Sequence, residues 1–346
     1  MKGRIIRTTL LLTILFLASE ITIAGNTQAE HIISTNNENQ IITVDKNGEG
    51  DYTTIQEAIN NTLEGSTIYV KTGTYNEIII IKKNINLIGE DKDKTIINPI
   101  SGKNKYAIRV GAPEVKISKL SITNGAPGLY TTGIYVSASN TEIEDCNIYD
   151  TPIGIAVWTS NNNINNCNFW GCKDEGIAFL GSTNSKCDNN KVTSCTFYKN
   201  CDGIELQYSS NNIIANCEFC ENTHTGINAI ASSNNKNTIS NCTIYNSQVN
   251  GIYLSSSSDN QIIDCTISDN KDGNIITTKN SYNNEIKNTK SNTYKTELTT
   301  EENPASSKQQ NNIRKNTKNG ILNAISNIKI NNYDILLFYM HIAMFF

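Results

Sequence analysis

The chain has 346 residues, long enough for one large domain or two ordinary ones with a sizeable core. Asn is heavily over-used, with 53 copies against 5 Pro, 3 Met, 3 His and 2 Trp. Because Asn favours turns over helix interiors, this composition argues against a helical bundle or coiled coil. A net charge of −4 with no basic patch in the body argues against a nucleic-acid binder that works by phosphate neutralisation.

From the N-terminus, Lys2, Arg4 and Arg7 precede an apolar stretch over 8–19, and Ala24, Gly25 and Ala29 offer cleavage points. This pattern predicts a secretory signal over 1–29 and a linker over 30–40, hence a secreted or cell-surface protein. The apolar stretch falls short of the roughly 20 residues a membrane span needs. Next, Thr54-Ile55-Gln56-Glu57 has capping-box form, and Ile55, Ala58 and Ile59 make one apolar stripe. A short amphipathic helix is expected over 54–61, suited to closing the end of a stack. Strand-like runs follow at 67–71, 78–81, 85–88 and 95–97, bounded by Gly65, Gly73 and Gly89.

Beyond them the chain repeats itself. The phrase apolar-x-x-Cys-x-apolar recurs around Cys146, Cys167, Cys195, Cys217, Cys242 and Cys265, with Leu120 before and Thr289 after, at spacings of 21 to 28 residues. A second phrase, Gly-Ile or a near variant, falls between copies at Gly133, Gly154, Gly176, Gly203, Gly226, Gly251 and Gly273. Apolar residues alternate within each phrase, so these are short strands that cannot bury a face alone. Stacked as a parallel β-helix, each coil pairs with the next at about 4.8 Å. The register then aligns Asn162, Asn190, Asn212, Asn237, Asn260 and Asn284 in a column whose amides can bond along the stack. The Cys column and the Ile148, Phe169, Phe197, Phe219, Ile244 and Ile267 column point inward. Column cysteines would hold parallel Cβ vectors nearly 4.8 Å apart, against ~3.8 Å in a disulfide, so a buried thiol ladder is expected. Cys172, Cys187, Cys201 and Cys220 lie off the column, and their state is left open.

After the repeats, 290–332 reads as a polar, disordered linker and 333–346 as an apolar tail too short to span a bilayer. Whether that tail touches a membrane is left open.

Residues 43–98 resemble the opening of pectin methylesterases and of the wider pectin-lyase-like superfamily. The Cys and Gly-Ile repeats resemble those of NosD-type and carbohydrate-binding or sugar-hydrolase β-helix modules. The resemblance covers about 41–289 and implies an all-β fold: a right-handed single-stranded parallel β-helix of about ten coils with a short N-terminal capping helix. The later pectin-methylesterase motifs, Gly-x-x-Asp-Phe-Ile-Phe-Gly and Leu-Gly-Arg-Pro-Trp among them, are missing, so pectin-esterase activity is not expected. The superfamily hosts many activities, and the fold alone does not select one.

Two sets of outward residues carry chemistry. Asp174, Glu175, Asp202 and Glu205 should cluster about one coil spacing apart. Asp202-Gly203-Ile204-Glu205 resembles the Asp-Gly-Ile-Asp stretch of polygalacturonases, although their Gly-His-Gly and Arg-Ile-Lys phrases are absent. Such acids can share roles across a glycosidic bond, or hold Ca²⁺ beside a Lys such as Lys199 in a lyase. Asp-Gly is also ordinary turn chemistry, which is the preferred account of these acids. The second set is Tyr149, Trp170, Tyr198 and Tyr245, three residues after column cysteines, with Trp158 and Gln207, four after repeat glycines. Aromatic faces beside polar groups suit sugar rings. The long 28-residue interval between Cys167 and Cys195 places an insertion near 181–189 that can wall a binding face. One body histidine, His224, and no body Met is poor stock for copper, so no metal ligand is assigned and no cofactor is expected outside the Ca²⁺-lyase alternative. The preferred reading is a monomeric module that binds polysaccharide or a cell-surface glycan, with a polysaccharide hydrolase or lyase second and a NosD-like metal-handling protein third.

Overall fold

The computed structural model describes residues 40–99, 105–126, 128, 130–230, 235–278 and 280–297. The expected export signal at 1–29, all but the last residue of the 30–40 linker, most of the 290–332 linker and the apolar tail lie outside them. Within 41–297 the chain turns three corners per coil, and from Glu114 onward a residue in the left-handed backbone region makes nearly every one. Asp145, Asn166, Ser194, Asn216, Asn241 and Asp264 stand just before the column cysteines; Asn140, Asn161, Asn189 and Asn211 belong to a second corner; Asp150, Lys199, Asn246 and Asp269 belong to a third. Among the described non-glycine residues 23 have φ between 45 and 64°, and 15 of these are Asn or Asp, the side chains that tolerate that region best. Ten of the 53 Asn make such corners.

Three corners separate three strands, and like strands of successive coils pair in parallel. Sheet 1 has eleven strands, from Ile41–Val44 to Glu285–Lys287; sheet 2 has ten, from Gly73–Tyr75 to Lys290–Ser291; sheet 3 has ten, from Ile79–Ile81 to Tyr294–Glu297. The result is an all-β, right-handed parallel solenoid of about ten turns. A helix, Ile55–Asn61, forms where expected, with Thr54 Oγ1 accepting from Glu57 N at 3.4 Å and Ile55, Ala58 and Ile59 buried. Its first amides also find a partner that local pattern does not disclose: Glu77 accepts from Ile55 N at 2.8 Å and Gln56 N at 2.9 Å. The strands continue past Thr289, because Tyr294–Glu297 pairs with Gly273–Thr278 and completes one more sheet 3 rung.

Inside the solenoid the columns run as ladders. Asn190 Oδ1 accepts from Asn162 N at 2.9 Å, Asn212 Oδ1 from Asn190 N at 2.8 Å, and Asn237 Oδ1 from Asn212 N at 2.9 Å. A second ladder, not read from the sequence, occupies the next corner: Asn200 Oδ1 accepts from Cys172 N and Asn222 Oδ1 from Asn200 N, both at 3.0 Å. Phe169, Phe197 and Phe219 stack face to face, with centroids 4.8 and 4.6 Å apart. The six column cysteines are buried, and all ten cysteines are free thiols. Glycine is required at the repeat position by close approach. A Cβ on Gly203 would lie 2.5 Å from both the Gly226 carbonyl oxygen and Phe219 Cδ1. The last coil departs from the expected register, since Asn274 stands opposite Gly251 while Gly273 pairs with Asn250. Replacing Asn212 with alanine is expected to cost about 1–3 kcal/mol, because the buried Asn190 N–H loses its only partner on that rung. A urea midpoint unchanged by Asn212→Ala would show that the ladder contributes nothing.

Candidate active site

Sheet 3 carries the longest strands, and its outward positions bring acids from adjacent coils together. Strand Glu175–Leu180 pairs with Asp202–Gln207 in a register that sets Glu175 opposite Asp202 and Leu180 opposite Gln207. Glu175, Asp202 and Glu205 are buried, while Asp174 at the strand entrance is part-exposed. Asp202 is held from the next coil, accepting from Thr225 N and Asn228 Nδ2, both at 2.8 Å. His224 Nδ1 lies 2.7 Å from Asp202 Oδ1, and its side chain is 46% exposed, so the cluster meets solvent there. Gln207 donates to Glu205.

This crowding has electrostatic consequences. Desolvation, then the neighbouring Glu205 and Asp174 charges, holds the Glu175 carboxyl well above its ordinary range. Desolvation also raises Asp174, and it lifts Glu205 from 4.5 to about 7 against the opposing bond from Gln207. The hydrogen bond to Asp202 raises His224. No lysine or arginine forms an ion pair with these four acids among the described residues.

Glu205 binds its proton more tightly in the folded chain than in the unfolded one. Its contribution to stability therefore falls as pH rises from about 4.5 to about 7, by about 3 kcal/mol at most. His224 acts in the same direction: the stability from its raised pKa is complete below about pH 6.5 and is lost as pH passes its folded value. The thermal midpoint is expected to be higher at about pH 5 than at about pH 8, with a flatter profile in Glu205→Gln. A midpoint that rises with pH would contradict this charge arrangement.

The aromatic residues singled out in the sequence fall on two faces. Trp158 shares the acids' face, in one outward column with Leu180 and Gln207, and its buried Nε1 has no hydrogen-bond partner among the described residues. Tyr135 lies 6.2 Å from Trp158, and Tyr106 lies 6.0 Å from Tyr135, centroid to centroid. These two tyrosines were not anticipated, although the column two residues after the repeat glycine contains Tyr135. Tyr149, Trp170, Tyr198 and Tyr245 belong to sheet 2, around the corner. There Tyr149 and Trp170 stack at 4.6 Å with planes 3° apart, so each gives one face to the other. A shallow cavity bordered by Trp170, Tyr198 and Cys220 lies on that side, away from the acids. Lys199, considered as a partner for the acids, instead sits over the Tyr198 ring at 4.5 Å and 3.7 Å from Glu221. The insertion near 181–189 closes through Ser182 N to Ser185 O at 2.7 Å and returns Cys187 to the core. It leaves the acid-bearing face beside Gln207, whose carbonyl accepts from Gly181 N at 2.9 Å.

Residues 84–236 and 202–335 match the family model described as right handed beta helix region, and 41–113 match the model described as pectinesterase. The probable pectinesterase/pectinesterase inhibitor 41 of Arabidopsis thaliana is 39% identical over 67 residues, 16% of this chain. The chain spans 12% of the length of that curated relative. A rhamnogalacturonan lyase is similar in structure with a TM-score of 0.56 and 14% identity, over 75% of this chain and 90% of that one. Geobacillus virus E2 ORF18 is similar with a TM-score of 0.51 and 16% identity, over 78% and 62% of the two chains. At these identities the structural likeness is one of fold. The family match covers most of the coils, and the chain belongs to the right-handed β-helix family.

Proposed function

We propose that the chain hydrolyses a glycosidic bond in an extracellular polysaccharide, using the acids on the outward face of sheet 3. The observation that carries this reading is the contrast between Glu205 and Asp202 on one strand. Glu205 keeps its proton to about pH 7, whereas Asp202 accepts hydrogen bonds on both carboxyl oxygens. A protonated carboxyl beside one held as a hydrogen-bond acceptor suits an acid and a base. Glu205 protonates the departing glycosidic oxygen, and Asp202 acts on the opposite side, as base toward water or as nucleophile. Tyr106, Tyr135 and Trp158 extend the same face and supply apolar surface for neighbouring sugar units. The names of the similar proteins, a rhamnogalacturonan lyase and a pectinesterase, support a carbohydrate substrate. The predicted export signal supports an extracellular one.

Hydrolysis is favoured over elimination because no lysine or arginine pairs with these acids among the described residues, and His224 alone approaches them, at Asp202. The test is incubation of the purified chain with neutral and acidic polysaccharides, reading reducing ends and unsaturated ends separately. Reducing ends without unsaturation are expected. Unsaturated products would replace hydrolysis with elimination. Saturable glycan binding with no cleavage across the pH range would return the chain to the binding modules.

A further inference from the structure

We propose that Cys201, Asp202 and His224 form a binding site for a divalent transition-metal ion of the Zn²⁺ class. Their ligand atoms, a thiol sulfur, a carboxylate oxygen and an imidazole nitrogen, all lie within 4.8 Å of one another. Tetrahedral zinc, with bonds of about 2.0–2.3 Å, sets its ligand atoms roughly 3.5 Å apart, so His224 Nδ1 must move off its 2.7 Å contact with Asp202 Oδ1. The half-exposed His224 ring can supply that movement. Three protein ligands of this kind leave a fourth position for water.

The surroundings favour a cation. Glu175, 6% exposed and opposite Asp202 in register, has a buried Oε2 with no hydrogen-bond partner among the described residues. Glu175, Asp174 and Glu205 surround the triad with carboxyls that lack ion-pair partners among the described residues. Asp202, Asp174 and Glu175 set their negative field beside the Cys201 thiol. A bound divalent ion relieves that field and stabilises the thiolate. Asp202 is already oriented by Thr225 N and Asn228 Nδ2, the kind of outer partner that ligating carboxylates use. A thiolate and an imidazole select a borderline-soft ion over Ca²⁺ or Mg²⁺. Binding displaces one proton from Cys201 and any proton on the coordinating His224 nitrogen, both to buffer.

The site shares Asp202 with the proposed hydrolase but does not depend on it, and its test contains no polysaccharide. The full chain, stripped with EDTA, is titrated calorimetrically with Zn²⁺, and its Co²⁺ adduct is examined by absorption. One ion per chain is expected, with a thiolate-to-cobalt charge-transfer band. Cys201→Ser should abolish the band, and Cys201→Ser and His224→Ala should each weaken Zn²⁺ binding by about tenfold or more. Cys220→Ser, on sheet 2, should change neither. If Cys201→Ser does not fold, His224→Ala carries the test alone. Equal Zn²⁺ affinity in wild type and His224→Ala, or equal competition by Ca²⁺, would overturn the site. Lack of cleavage with intact Zn²⁺ binding counts only against the hydrolase reading, and the converse counts only against the metal site.

Discussion

Replacing Asp202 with asparagine is expected to lower the rate of polysaccharide cleavage by about 10²–10⁴-fold, the usual contribution of a positioned acid or base. Three donors converge on this carboxylate: Thr225 N and Asn228 Nδ2 at 2.8 Å, and His224 Nδ1 at 2.7 Å when it carries a proton. Asparagine keeps the shape but turns an NH₂ toward one of them, so a stability loss of about 1–3 kcal/mol should accompany the rate loss. Glu205→Gln separates the two effects. It removes the acid proton while keeping an oxygen that accepts from Gln207, and it relieves a carboxyl that burial disfavours when ionised. Its folded state should be at least as stable as wild type at about pH 8, yet its cleavage rate should fall by a similar factor. Initial rates and thermal midpoints on both variants decide the matter. Wild-type rates in both would remove these acids from the chemistry.

Phe197→Ala is expected to be the most costly single substitution in the core, at about 3–5 kcal/mol. Its ring lies between Phe169 and Phe219, so both stacked contacts go at once, and each is worth about 0.5–1.5 kcal/mol beyond area burial. It also packs against the Gly176 backbone, where a Cβ would lie 2.8 Å from Phe197 Cδ1, and so joins sheet 2 to sheet 3 beneath Glu175. Phe197→Leu retains much of the volume and should recover more than half the loss. Denaturant midpoints measure both. Because coils contact only their neighbours, the damaged region can unfold before the ends, and a broadened transition is part of the expected result.

The coils were legible because three signals repeat at fixed offsets: alternating apolar residues, the cysteine and the asparagine. Where an offset slips, legibility fails. Gly273 looks like a repeat glycine, yet Asn274 takes the place opposite Gly251. The second Asn ladder is not legible because Cys172 stands before Asn200 in its column and Ser247 interrupts it between Asn222 and Asn270. Alternation says that a residue points outward but not from which of three sheets, so Trp158 and Trp170 looked like neighbours although they occupy different faces. The carboxylates could be placed because they sit on or beside strands one coil apart. His224 could not, because it reaches Asp202 from a connection 22 residues later.

In a solenoid the coil-to-coil hydrogen bonds point along the long axis, so they act as links in series under tension. A pull on the two ends loads every junction equally, and the junction with the fewest bonds parts first. In sheet 3, strand Ile227–Ala229 offers three paired positions to the strand bearing Asp202, against five between that strand and Glu175–Leu180. His224, Thr225 and Asn228 lie across that thinner junction. Separating the coils there would part Asp202 from all three partners together, so the geometry of the site depends on the coil that follows it.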